Sequence, residues 1–191
     1  VEIGDCVTSI GTATFSGCSS LTSIDIPDSV TSIGSYAFSV CSSLTSCTIP
    51  SAVRSIGGGA FGRCTSLTSI VIPDGVTSID TGTFLFCTSL TSITIPDSVT
   101  SIDYSAFAYC SSLTSMTIPS SVTSIDNRAF NKCSRLTSIT IEAATPPTLG
   151  TNSFDNTNDC PIYVPSGSVD TYKEANNWST YASRIQAIPN S

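Results

Sequence analysis

The stretch LTSIDIPDSVTSIGSYAFSVCSS, residues 21–43, decides the fold, because it returns with small changes along most of the chain. Its period is 23 residues, and four apolar positions keep their residue type in every copy. These positions hold the valines 7, 30, 53, 76, 99 and 122, the isoleucines 10, 33, 56, 79, 102 and 125, the phenylalanines 15, 38, 61, 84, 107 and 130, and the leucines 21, 44, 67, 90, 113 and 136. Such a period is typical of a solenoid, in which each repeat buries its apolar face by stacking on its neighbours.

One repeat divides into two extended segments and a turn. Residues 21–26 alternate between apolar and polar, which predicts a short strand. Pro27 ends this strand, because proline has no N–H for a ladder. Residues 30–33 predict a second extended side, and the spacing of the apolar residues in 37–41 predicts a single helical or 3₁₀ turn. We therefore expect a right-handed superhelix with short parallel strands, short second strands or turns, and apolar columns inside.

The charge and the polarity of the chain limit the classes of partner that it could bind. The net charge is −7 and the seven basic residues are scattered, which argues against a nucleic-acid partner. Only 11% of residues are charged, so Ser and Thr supply the surface polarity, as suits an exported module. The sequence contains no apolar run long enough to span a membrane.

Nine cysteines are present, and six of them occupy one phase of the repeat: Cys18, Cys41, Cys64, Cys87, Cys110 and Cys133. Stacked strands lie about 4.8 Å apart, whereas a disulfide needs roughly 3.5–4.5 Å between Cβ atoms. We therefore predict a column of buried free thiols. A zinc site is not expected, because the chain has neither histidine nor a CxxC pair.

The two ends of the chain differ from the repeats. Residues 1–3 lie one period before 24–26, so we expect the chain to open partway through a repeat, with an exposed strand edge that favours end-to-end self-association. Near the other end, Ser168 predicts the N-cap of a helix over 169–175. Apolar surface to close the last coil is supplied by Trp178, Tyr181, Ile185 and Ile188. We predict a solenoid over 1–142, and a degenerate seventh repeat with a C-terminal cap over 143–191.

The pattern LxxIxIPxxVxxIxxxAFxxCxx, found throughout 1–142, resembles the repeat of the BspA-like leucine-rich repeat family of surface and secreted proteins. The tail Cys160-Pro-Ile-Tyr-Val-Pro165 resembles the terminal cap of bacterial members associated with animal hosts. The resemblance implies an extracellular or cell-surface domain that adheres to host proteins, extracellular matrix or other cells. It implies neither an active site nor a cofactor, and it does not identify the ligand.

Large side chains interrupt the Ser/Thr-rich surface near the six cysteines that share one phase of the repeat, which we call the cysteine ladder. Exposed apolar and aromatic residues of this kind occur at interaction sites. We hypothesise a binding patch on the side or convex face that includes Tyr36, Leu85, Phe86, Tyr104 and Tyr109. The alternative is that some of these side chains fill gaps between coils.

Three carboxylates, Asp80, Asp103 and Asp126, share one column, roughly 5 Å apart. A Ca²⁺ ion with oxygen ligands could relieve their repulsion. The alternative is that they are solvated turn residues, since Asp tolerates turn conformations and bonds its own backbone.

Two other function classes compete with binding. Catalysis is not expected, because the chain lacks histidine and the aspartate column shows neither a cleft nor a cause for a raised pKa. The second is a passive role, as a structural spacer or as a hydroxyl face that orders water or ice. Rows such as Ser92-Ile-Thr94 support that reading, although serine fills one column throughout.

Overall fold

The computed structural model describes residues 3–189, which form a solenoid of about eight stacked coils. A complete coil has three sides in chain order: a strand of three or four residues, a strand of two residues, and a run of tight turns. We call these sides the long-strand column, the short-strand column and the turn side. The first described coil lacks the longer strand, and helical segments replace the other two sides after Ile162–Val164. Strands of successive coils pair in parallel, which confirms the predicted fold class.

The strands keep the register of the sequence period. Ser23 lies opposite Ser46, and Ile24 lies opposite Cys47. The long strands are Ser23–Asp25, Ser46–Thr48, Ser69–Val71, Ser92–Thr94, Ser115–Ile118, Ser138–Ile141, Ile162–Val164 and Ile185–Ala187. The short strands are Ser9–Ile10, Ser32–Ile33, Ser55–Ile56, Ser78–Ile79, Ser101–Ile102, Ser124–Ile125 and Thr148–Leu149.

A single column of phenylalanine rings runs through the core. Adjacent rings lie 5.2–5.8 Å apart between centroids, with their planes within 14° of parallel. The column contains Phe15, Phe38, Phe61, Phe84, Phe107, Phe130 and Phe154, all fully buried except Phe15. Each stacked pair adds about 0.5–1.5 kcal/mol beyond the area that it buries. One period of the sequence therefore corresponds to one step along this column of rings.

The cysteine ladder consists of free thiols. Each of its five buried thiols donates to the phenylalanine carbonyl 26 residues earlier, as from Cys41 Sγ to Phe15 O at 3.1 Å and from Cys133 Sγ to Phe107 O at 3.2 Å. Burial raises the pKa of the Cys87 and Cys133 thiols to about 12, so the reactive thiolate is disfavoured. The predicted burial is wrong at Cys18, which is exposed because no described coil covers it on that side.

The turn side is not the helical or 3₁₀ turn expected from the spacing in 37–41. Its N–H groups alternate between the same coil and the next: Ala37 N–H donates to Gly34 O at 3.2 Å, whereas Phe38 N–H donates to Ala60 O at 2.8 Å. In a helix, successive N–H groups all point along the axis of one segment. Here every second N–H is needed to join two coils, so the chain forms a series of turns.

The C-terminal segment contains short helices. A 3₁₀ turn over Ser166–Ser168 leads into the α-helix Val169–Glu174, and a second 3₁₀ segment spans Trp178–Arg184. The predicted helix is confirmed, but Ser168 makes no side-chain cap hydrogen bond. The reason is its conformation, φ −111° and ψ −3°, because a capping side chain requires an extended residue.

The last strand, Ile185–Ala187, was not expected. It pairs in parallel with Ile162–Val164, so Ile185 lies one period after Ile162. Pairing also crosses the predicted boundary at residue 142, since Thr140 lies opposite Tyr163. The division into two domains therefore stays a prediction.

Val1 and Glu2 of the expected N-terminal strand edge lie outside the described residues, and Ile3 belongs to no strand. End-to-end self-association remains a prediction. Among residues 3–189, no helix combines the length and the apolar character needed to cross a membrane.

Candidate functional site

The turn side holds two columns of residues in the left-handed backbone region. The first left-handed column is Ala13, Tyr36, Gly59, Gly82, Ser105, Arg128 and Asn152, with φ between 53° and 66°. The second left-handed column is Gly17, Val40, Arg63, Phe86, Tyr109, Lys132 and Asn156, with φ between 57° and 75°. Glycine adopts this conformation freely, whereas a residue with a Cβ atom loses roughly 1–2 kcal/mol. Bulky residues at these positions therefore carry strain that glycine would not.

Four residues of the second left-handed column form a continuous stack. The Arg63 guanidinium carbon lies 4.9 Å from the centroid of the Phe86 ring. The Phe86 and Tyr109 rings stack at 4.2 Å, and Lys132 Nζ lies 4.8 Å from the centroid of Tyr109. We call this set the cation–aromatic stack. Cation–π contacts of this kind each contribute about 0.5–1 kcal/mol at exposed sites, which offsets part of the backbone strain.

Tyr36 and Tyr104 stand apart from the stack and are more exposed, at 56% and 42%. The ring of Tyr36 lies over Gly59, where a Cβ atom would come within 2.5 Å of two ring carbons. The Tyr104 hydroxyl accepts a hydrogen bond from Arg128 Nη1 at 3.5 Å. Both tyrosines therefore present their rings to solvent.

The structure places all five predicted patch residues on the turn side, but it does not join them in one cluster. Phe86 and Tyr109 share the stack, whereas Tyr36 lies two coils before Phe86. Phe86, Tyr109 and Leu85 are half-buried. For these three side chains, both the binding patch and the gap-filling alternative stay predictions.

Sequence reasoning left out the basic members of this surface. Arg63 and Lys132 each contact a ring of the stack, and Arg128 contacts Tyr104. The signal was present, because Arg63 lies one period before Phe86, and Lys132 lies one period after Tyr109. The sequence does not show that the side chains of the second left-handed column extend towards one another from coil to coil.

The aspartate column lies at the edge of the turn side. Asp80 Oδ1 accepts a hydrogen bond from Ser78 Oγ at 2.7 Å, and Asp126 Oδ1 accepts one from the Asn127 amide at 2.8 Å. Within residues 3–189, no three His, Cys, Asp or Glu side chains are arranged so that they could hold a metal ion. The geometry thus gives no support to the calcium hypothesis for Asp80, Asp103 and Asp126.

Partial burial, with further contributions from Asp80 and Asp126, raises the pKa of Asp103 above its usual value of 3.8. A carboxyl whose pKa is raised by folding destabilises the native state when it is ionised, and this cost disappears as the pH falls through the folded pKa. We expect Asp103→Asn to stabilise the protein at pH 7 by about 0.5 kcal/mol and to lose this advantage below about pH 4.

Thermal melts of Asp103→Asn and of the parent chain at pH 7 and pH 3 check this expectation. Asp97→Asn, at an exposed position outside the aspartate column, serves as the control and should leave the midpoint unchanged. A gain that is as large at pH 3 as at pH 7 would contradict the electrostatic explanation.

The threonine hydroxyls of one exposed row donate hydrogen bonds to backbone carbonyls of the preceding coil. Thr45 Oγ1 donates to Thr22 O at 3.2 Å, and Thr137 Oγ1 donates to Thr114 O at 2.9 Å. Thr68, Thr91 and Thr114 repeat the contact. This row therefore joins neighbouring coils through its hydroxyl protons.

Comparison with known proteins agrees with the fold. Residues 1–114 and 56–183 match the BspA type leucine rich repeat region, in six copies. A leucine-rich repeat protein from T. pallidum is 31% identical, with a TM-score of 0.75, over 81% of this chain and 72% of that one. A leucine-rich repeat protein from Bacteroides ovatus is 29% identical, with a TM-score of 0.66, over 87% of this chain. A leucine rich cell surface protein from Faecalibacterium prausnitzii is 30% identical, with a TM-score of 0.57, over 88% of this chain.

The match spans 49% of the Bacteroides ovatus protein and 62% of the Faecalibacterium prausnitzii protein. No curated protein sequence matches this chain significantly. The repeat pattern, the stacked coils and the matched relatives agree with one another. This chain belongs to the BspA-type leucine-rich repeat family.

Proposed function

We propose that this chain is an extracellular or cell-surface binding module. Its turn side binds a protein of a host or of a neighbouring cell. The observation that carries the proposal is the presence of bulky side chains at strained positions. Phe86, Tyr109 and Tyr36 have φ of 58–63°, whereas Gly17, Gly59 and Gly82 occupy equivalent positions in other coils. Backbone strain of this kind clusters at functional sites, where the side chain is needed for another purpose.

The composition of the turn side supports the same conclusion. Tyrosine and arginine are enriched at protein–protein interfaces and at their energetic centres. Tyr36 and Tyr104 are exposed, and Arg63 and Arg128 stand beside aromatic rings. The long-strand column, by contrast, presents mainly Ser and Thr, with Val71 as its one large exposed apolar side chain among the described residues.

The location rests on the family and on one relative. The Faecalibacterium prausnitzii protein is described as a cell surface protein, and it shares 30% of its sequence with this chain over the aligned region. A solenoid of stacked coils gives an elongated surface that suits a binding role.

The double variant Phe86→Gly/Tyr109→Gly tests the proposal. Glycine suits both left-handed positions, so we expect the fold to remain intact while adhesion falls by about tenfold or more, as for the loss of interface centres. The measurement is binding of the purified chain to immobilised extracellular-matrix proteins and to intact host cells, with circular dichroism as the check of folding.

Val71→Thr is the matched control, because Val71 is 73% exposed on the long-strand column and Thr94 is its strand neighbour. It should bind as the parent chain does. If Phe86→Gly/Tyr109→Gly adheres normally and Val71→Thr does not, the long-strand column is the binding face and the proposal is wrong.

A further inference from the structure

Charge is segregated between the sides of this acidic solenoid. In the first six coils the turn side comprises residues 12–18, 35–41, 58–64, 81–87, 104–110 and 127–133, and none of these residues is Asp or Glu. The same segments contain Arg63, Arg128 and Lys132, three of the seven basic residues of a chain with a net charge of −7. Over these six coils the turn side is therefore a positive strip on a negative protein. The next coil adds Asp155, whose Oδ1 accepts a hydrogen bond from the Tyr181 hydroxyl.

The carboxylates nearest in sequence to this strip are those of Asp80, Asp103 and Asp126, one residue before three of the six turn segments. Asp80 and Asp126 accept hydrogen bonds from Ser78 and Asn127, respectively. Arg63 and Lys132, in contrast, lie against Phe86 and Tyr109. A ring face satisfies part of the field of a cation but leaves its N–H donors available to an anion.

The stack also limits which ligand could bind it. Both faces of Phe86 are covered, by Arg63 and by Tyr109, and both faces of Tyr109 are covered, by Phe86 and by Lys132. A sugar or a nucleic-acid base stacks on a free ring face, and this stack offers none. What remains exposed is the ring edges, which carry partial positive charge, between two full positive charges.

We propose that the partner segment is acidic, and that a carboxylate-bearing stretch of protein lies along the cation–aromatic stack. Carboxylates contact Arg63 and Lys132 at the ends of the stack and the ring edges of Phe86 and Tyr109 between them. Arg128 beside Tyr104 extends the positive strip on the same side. This inference rests on the proposed function, because it names the chemistry of the partner at the same surface.

The test uses two double variants that change the net charge equally. Arg63→Gln/Lys132→Gln removes the charged ends of the stack, and Arg54→Gln/Lys173→Gln removes two charges elsewhere. The probe is a fluorescein-labelled peptide in which Glu and Tyr alternate, with a Gln/Tyr peptide as its neutral counterpart. Fluorescence anisotropy gives the Kd of each pair over a series of salt concentrations.

We expect the Glu/Tyr peptide to bind the parent chain about tenfold or more tightly than the Gln/Tyr peptide, with a Kd that rises with salt. Arg63→Gln/Lys132→Gln should weaken this binding about tenfold and flatten its salt dependence, whereas Arg54→Gln/Lys173→Gln should preserve it. Equal affinity for the two peptides, no binding of the Glu/Tyr peptide, or equal losses in the two variants would overturn the proposal. So would binding of a heparin fragment without binding of the peptide, which would indicate an anionic polysaccharide.

The adhesion assay separates this inference from the proposed function. If Phe86→Gly/Tyr109→Gly loses adhesion but Arg63→Gln/Lys132→Gln keeps it, the turn side binds a partner that is not acidic. If both variants adhere normally, the binding surface lies elsewhere and both proposals fail.

Discussion

Phe84→Ala should lower the free energy of unfolding by about 3–5 kcal/mol, a large part of the total stability of a typical protein. Phe84 is fully buried in the middle of the phenylalanine column. Its ring centroid lies 5.8 Å from that of Phe61 and 5.4 Å from that of Phe107. Truncation therefore leaves a cavity and removes two stacking contacts at once.

The position of Phe84 adds a second effect. In a solenoid each repeat contacts only its neighbours, so a weak interface in the middle separates two groups of coils. We expect the melting midpoint to fall by about 10 °C, and the transition followed by circular dichroism to broaden or divide. Guanidinium unfolding should show a lower apparent m-value, because less surface is exposed in each step.

Phe15→Ala is the matched control. Phe15 is only half-buried and has one stacking neighbour, Phe38, at 5.4 Å. The same substitution should cost clearly less there. If Phe15→Ala destabilises the chain as much as Phe84→Ala does, the column does not act as a continuous core.

Much of this fold can be predicted from the sequence, because the residues that repeat are the residues that touch. Phe38 and Phe61 lie one period apart in the chain and stack in the core. The same argument gives the register of Ile24 against Cys47. The spacing in the sequence alone predicts a contact between two coils where both coils make that contact with equivalent residues.

Prediction fails where equivalent positions hold different residues. The left-handed conformation of Arg63, Phe86 and Tyr109 cannot be read from those residue types, which rarely adopt it. Only Gly17 and Asn156 in the same column belong to residue types that indicate it. The cation–aromatic stack was therefore recognised in part, through its aromatic members, while its basic ends were missed.

The strand Ile185–Ala187 was missed for a different reason. Its register with Ile162 follows the period, but helical segments fill the chain between them and hide the repeat. The chain thus leaves the coil pattern in the short-strand column and on the turn side while keeping it in the long-strand column. The long strands therefore keep their spacing of 23 residues even where helical segments replace the rest of the coil.

Trp178→Ala should also lower the free energy of unfolding by about 3–5 kcal/mol. Trp178 is 1% exposed and covers the end of the phenylalanine column, with its ring centroid 5.7 Å from that of Phe154. It packs edge-to-face with Tyr172 at 4.9 Å, and its Nε1–H donates to Pro147 O at 2.8 Å. Alanine removes the cover, the aromatic contact and the hydrogen bond together.

The uncovered end of the column gives this variant a signature that Phe84→Ala lacks. Solenoids need a closed terminal coil to stay soluble, so we expect Trp178→Ala to bind a hydrophobic dye and to aggregate at temperatures below its melting midpoint. Since Trp178 is the single tryptophan of the chain, unfolding is followed by circular dichroism.

Two controls separate the contributions at Trp178. Trp178→Phe keeps a ring over Phe154 but loses the hydrogen bond to Pro147, so it should cost about 1–3 kcal/mol because the carbonyl stays buried without a partner. Tyr36→Ala removes an aromatic ring that is 56% exposed and should have little effect on the midpoint. If Trp178→Ala costs no more than Tyr36→Ala and does not bind dye, the C-terminal segment does not close the core. The phenylalanine column would then have to be stable with an open end.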